Sequence, residues 1–155
     1  MKNRERPLGF WILEVFIALS IILMLLGQTM SVFDYDFTVR YGLQESAEQV
    51  SEYGVQVNRA FGASDTVVYV PLLIASLLGL WHRKQWALVT TAAVGGISLY
   101  WSTTIIFMFL FLPDAKGYDY LPGAEIWSFV IAFAIFGVWS IWYLISHKRE
   151  LFDSN

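Results

Sequence analysis

Two acidic residues occupy positions where an apolar chain accommodates them at a cost. Glu14 stands about six residues inside an apolar run between Arg6 and Asp34, and Asp65 opens the charge-free run 66–81. A carboxylate in hydrocarbon costs a few kcal/mol or more unless it is paired or protonated, so an acid in such a run marks a functional position by default. Glu14 is the candidate proton-linked group, a sensor or relay at the depth of Thr90, Thr91 and Tyr143. The structural alternative ties it to His82, Arg83 or Tyr143.

Asp65 heads a candidate ligand-binding set. Pro71 removes a backbone donor from the run that follows and predicts a bend near Tyr69. A short, proline-interrupted run is a pointer to a binding region. Gln28 and Thr29 of the first run fall at comparable depth, as do Trp101, Ser102, Thr103 and Thr104 of the third. Tyr100 and Trp101 lie near the middle of that third run, where interfacial anchoring does not account for aromatic residues. Asp65, Tyr69, Gln28, Tyr100, Trp101 and Ser102 would form an outward-opening pocket with aromatic walls and a few polar groups. The competing account makes Asp65 a helix cap and the hydroxyls contacts between helices.

Other chemistries are missing from the chain. It has no cysteine, which removes disulfides, thiolate metal sites and thiol nucleophiles. His82 and His147 flank apolar runs beside basic residues, so no histidine metal cluster is expected within them. No nucleophile–base pair, phosphate-cradling glycine loop, zinc motif or dinucleotide fingerprint occurs, and no cofactor or metal is expected. Basic residues form only short flanks, which gives no support for nucleic-acid binding. Glu45, Glu48 and Glu52 share one stripe of a helix; a solvated face is favoured over a cation or basic-partner site.

The elements that must position these residues are spanning helices. Hydrophobic residues make up 57% of the 155 and charged residues 15%, against about 25% charged in soluble domains. Mean hydropathy is +0.54. Crossing the hydrocarbon takes about 20 apolar residues, which predicts spans at residues 8–31, 65–81, 86–112 and 126–146. The second is the short one: its 16 charge-free residues reach only ~24 Å. A secretory leader fits the first run poorly, because residues 8–26 are long for its apolar core and include Glu14.

Residues 43–61 read as an additional helix between spans one and two. Leu43, Ala47, Val50, Gly54, Val57 and Phe61 recur at alternating spacings of four and three, with Gln and Glu opposite. Gly62 is the expected stop, and Ser64 or Asp65 the expected cap of span two. Thr91, Gly95, Ser98 and Ser102 form a small, polar face that makes span three the expected packing centre, with Ala75, Gly79, Gly137 and Ser140 on its neighbours.

Charge sets the expected orientation. Lys2, Arg4, Arg6, Arg83, Lys84, Lys148 and Arg149 fall on one side; Arg40, Arg59 and Lys116 fall on the other with nine acids. That bias places both termini in the cytoplasm. The expected protein is a single all-α domain over residues 1–155: a four-helix transmembrane bundle with an outer amphipathic helix, in a bacterial cytoplasmic membrane. Its expected role is non-enzymatic: binding a lipid-like ligand, or a membrane partner or second copy, through the outer half. A proton-coupled transporter or channel subunit is the alternative, and an intramembrane enzyme using Asp65 ranks third.

Overall fold

A computed structural model describes residues 6–152, which leaves Lys2 and Arg4 of the charge bias outside the described residues. All regular structure among the described residues is helical. Four helices are long and apolar enough to cross a membrane: Leu8–Phe33, Ala47–Trp81, Ala87–Asp114 and Ala124–Phe152, called spans 1 to 4 below. The chain is therefore an all-α integral membrane protein built as a four-helix bundle.

Apolarity does not separate the inside of this bundle from its outside. In span 1, Phe10, Leu13 and Ile17 are buried while Ile12, Val15 and Leu19 are exposed. A helix apolar all round is suited to lipid, and small or hydroxyl residues then mark the packed face. Thr91, Val94, Gly95, Ser98 and Ser102 form the buried face of span 3, as their spacing predicts. Span 3 meets span 4 where Gly95 crosses Gly137. A Cβ on Gly137 would stand 2.8 Å from the Gly95 carbonyl oxygen, so two side-chain-free positions let the backbones approach. Span 4 closes the ring on span 1 through Phe16, stacked on Phe136 at 3.7 Å between centroids.

Spans 2 and 3 form a tight hairpin. Arg83 adopts φ 52, with its amide donating to Leu80 O at 3.0 Å and that of Lys84 to Gly79 O at 2.8 Å. This pattern satisfies the last carbonyls of a helix and ends it sharply. Gly79 gives the room: a Cβ there would strike Ala87 and the Trp86 ring.

The second span departs from expectation. The amphipathic helix Ala47–Ser64 does not stop at Gly62; it runs through Asp65–Tyr69 into Val70–Trp81 as one helix. Asp65 has φ −62 and ψ −40, so it is a helical residue and not a cap. Gly62 serves packing instead, because a Cβ there would collide with Ser31 Oγ and the Gln28 carbonyl oxygen of span 1. Past a break at Ser51, the unbroken stretch 52–81 is ~45 Å long against ~30 Å of hydrocarbon. The charge-free run is short; the helix carrying it is not, and its first half stands over the ends of the other spans. Span 4 also outlasts its apolar run, bending at His147 (φ −118, ψ 16) before Leu151 and Phe152 return to the core.

Two widened, π-helical turns lie where spans 1 and 2 meet, at Met24–Thr29 and Asp65–Tyr69. Pro71 explains the second, since its ring collides with the carbonyl four residues back, at Val67, unless the turn opens. Thr66 Oγ1 bonds Thr29 Oγ1 across the two at 2.9 Å.

The glycine crossing yields a direct test. Gly137→Val should lower the thermal unfolding midpoint of purified protein by several degrees, corresponding to ~1–3 kcal/mol of overpacking. A midpoint equal to wild type would contradict the crossing.

Candidate functional site

Because span 2 continues upward, its amphipathic half is held beside spans 3 and 4 without packing tightly on them. A cavity of ≈ 390 Å³ lies between them. The predicted apolar stripe lines it except at Ala47, which is exposed: Leu43, Val50, Gly54, Val57 and Phe61 face Trp101, Ile105 and Met108 of span 3 and Phe129 and Val130 of span 4. Trp101 is held edge-on to Phe129 at 6.0 Å and beside Phe133 at 5.8 Å. The volume and apolar lining match small-molecule sites, which run to roughly 300–1,000 Å³.

One end of the cavity is polar. Tyr35 donates its hydroxyl to Glu45 O at 2.9 Å and accepts from Asn58 Nδ2 at 3.1 Å. Asn58 Nδ2 also donates to the Glu45 carboxylate at 2.8 Å. Gln44 Nε2 reaches Gly27 O, within the π turn of span 1, at 3.4 Å. Tyr118 lies on the opposite side, its phenol pushed up to about 12 by burial and then by the Glu45 charge. Burial raises Tyr35 too, with Glu45 adding to the shift and the Asn58 bond opposing it. Both phenols stay protonated at neutral pH and keep a donor hydrogen. Tyr35, Tyr118 and Tyr120 thus gather around Glu45.

Ser51 pins this end together. Its φ of 65 and ψ of 165 fall in a region that glycine enters readily and other residues enter at a cost of ~1–3 kcal/mol. The break turns Ala47–Val50 out of the helical line. Gln49 O then accepts the amide of Asp119 at 2.8 Å, and Gly117 packs against Ser51. The second connection is fastened over the first in this way.

The expected site residues divide into three groups. Gln28 and Trp101 line the cavity. Asp65, Tyr69 and Ser102 are buried in a packed line between spans 2 and 3. There the Tyr69 hydroxyl and Ser98 Oγ lie 2.7 Å apart, and Ser102 Oγ donates to Ser98 O at 2.8 Å. Tyr100 is 72% exposed on the outside of the bundle and is not brought to the others. Neighbours on a helix point about 100° apart, so Trp101 facing in turns Tyr100 away. The glutamate stripe is also broken, because Glu45 precedes the first helical turn and bonds Asn58, while Glu48 and Glu52 are exposed.

Glu14 lies apart, toward the end that carries Arg6 and Arg83. It is 6% exposed, and its Oε1 has no hydrogen-bond partner among the described residues. The expected link to His82, Arg83 or Tyr143 is not made through that oxygen. Asp65 Oδ2 is unpartnered as well. Leaving such a group unpaired costs about 1–3 kcal/mol, more if charged. Among the described residues, His, Asp and Glu do not gather in threes as metal ligands.

Sequence reasoning missed Asn58, Ser51 and Phe129 as parts of the site. Asn58 had a signal, because it stands four residues after Gly54 and three before Phe61, a polar group on the apolar face. No protein-family model, curated protein or solved structure matches the chain.

Ser51→Gly should raise the thermal midpoint by a few degrees, since it relieves ~1 kcal/mol of backbone strain. An unchanged or lower midpoint would show that Ser51 is not held at positive φ.

Proposed function

We propose that this protein is a non-enzymatic tetraspan that binds a lipid-like amphipathic ligand in the cavity beneath its outer helix. The observation that carries this reading is the division of the cavity into an apolar body and a polar end. Val57, Phe61, Trp101 and Phe129 offer a tail site, while Glu45 and Asn58 present a carboxylate and an amide to a headgroup, with the Tyr35 hydroxyl bonded to both residues. Burying apolar ligand surface drives entry, and the polar end sets the orientation.

The charge bias supports an orientation with both termini cytoplasmic, in a bacterial cytoplasmic membrane. Among the described residues, Arg6, Arg83, Lys84, Lys148 and Arg149 fall at one end with the exposed Trp11, Trp81, Trp86 and Trp142. Arg6 donates to Trp81 O at 2.9 Å and lies 4.1 Å over the Trp81 ring. A cation and a tryptophan belt at one level suit a headgroup boundary.

A second reading, a proton-coupled transporter or channel subunit, is favoured by the unpartnered oxygens of Glu14 and Asp65. Fully buried Leu73 and Val94 stand between them, so one chain offers no continuous polar path and the conduit would need a second copy or a moving helix.

Native mass spectrometry of protein released from mild detergent separates the readings. Wild type should retain amphipathic lipid in stoichiometric amount, and Val57→Trp, which fills the cavity, should cut retention at least ten-fold. Equal retention would sink the ligand-binding reading. A stoichiometric protein in place of lipid would favour an accessory role. Proton flux in reconstituted vesicles that disappears in Asp65→Asn would favour transport.

A further inference from the structure

Hydroxyls buried in a membrane helix ordinarily donate back to a carbonyl one turn earlier. Six buried ones here do so: Ser20, Ser31, Thr38, Ser98, Ser102 and Ser140. Ser76 and Thr91, both fully buried, do not. The register of the hairpin between spans 2 and 3 brings them to one level. The Tyr69–Ser98 contact lies two turns above them, and the Gly79–Ala87 contact lies about one turn below.

Glu14 stands in the same layer. It is one turn above Trp11, which packs on Trp81 at 6.1 Å, and Ser76 is little more than one turn above that same Trp81. From span 4, Tyr143 against Gly9 and Phe136 on Phe16 bracket Glu14 from below and above. Three oxygens from three spans thus share one interior layer, each without a hydrogen-bond partner among the described residues, and the Tyr143 hydroxyl of span 4 is unpartnered there too. The gaps between them are longer than a hydrogen bond.

We infer that Glu14, Ser76 and Thr91 form a site for a hydrated monovalent cation, Na⁺, in the inner half of the bundle. A carboxylate and two hydroxyls are hard oxygen donors, which suits such ions. One positive charge neutralises Glu14, and bound water reaches the oxygens that cannot reach one another. Arg6 is the cation within electrostatic reach from the same span, and Tyr143 is the titratable group that span 4 brings to this level. Spans 2 and 3 add no charge to the layer, since Val70–Trp81 and residues 87–99 carry none. This site goes beyond the transport reading, requires no flux, and is separate from ligand binding in the outer cavity.

Infrared difference spectroscopy of the full chain in lipid nanodiscs tests it at equilibrium. One arm exchanges choline for Na⁺ at fixed pH, and the other changes pH without Na⁺. In the Na⁺ arm, a carboxylate band should change in wild type and be missing in Glu14→Gln. A response to pH alone is protonation of the Glu14 carboxyl and would overturn the cation site. Thr91→Val and Ser76→Ala should each shift the half-point at least ten-fold in cation concentration. Thr91→Ser, which restores the hydroxyl, should return it to within two-fold of wild type. No Glu14-dependent band in the Na⁺ arm would overturn the site. An unmoved half-point in both hydroxyl variants would overturn it as well.

Discussion

Hydrocarbon supplies no hydrogen bonds, and that constraint shapes this molecule more than any single contact. Every polar group inside the spans must find its partner in the protein. Most do: the buried hydroxyls turn back on their own helices. The π turn before Pro71 opens to accommodate the ring, and the carbonyl of Gly27 in the facing π turn accepts from Gln44. Against that background the oxygens left unpartnered are informative, because lipid would not tolerate them as ornament. Among the described residues they fall on Glu14, Ser76, Thr91 and Tyr143 toward one end and on Asp65 toward the other.

The same constraint keeps span 2 continuous over residues 52–81. A stop at Gly62 would expose backbone groups where spans 1 and 2 cross, whereas a continuous helix keeps them paired internally. Continuity then dictates the outer architecture. The amphipathic half of the span is carried above the other spans with its apolar stripe facing Trp101 and Phe129, and the connections at residues 41–46 and 112–123 close over it. The cavity follows from a helix too long for its membrane and too amphipathic to remain free.

Much of this was legible in the sequence. The spans, the Thr91–Ser102 packing face and the stripe from Leu43 to Phe61 all follow from periodicity and residue size. Gln28 and Trp101 were singled out and do line the cavity. The misreadings have physical causes. Gly62 resembles a helix stop, since glycine serves both as terminator and as contact point, and only the neighbouring Ser31 and Gln28 decide between the two. Tyr100 was grouped with Trp101 by depth, although adjacent helical residues face different ways. Glu45 was placed on the glutamate stripe because the pattern extends past the residue where the helix begins. The positive φ of Ser51 and the two π turns leave no periodic trace; they arise from contacts between segments distant in sequence.

The account rests on the cavity beneath the outer helix being the place where an amphipathic molecule sits. Photolabelling tests this most directly. Protein in nanodiscs is irradiated with a phospholipid carrying a diazirine in its chain, and labelled residues are mapped by peptide mass spectrometry. The account predicts label concentrated on Phe61, Trp101, Met108 and Phe129, competed away by unlabelled lipid and lost in Val57→Trp. Label confined to outward-facing residues such as Leu78, Ile135 and Val138, and unchanged by that substitution, would contradict it.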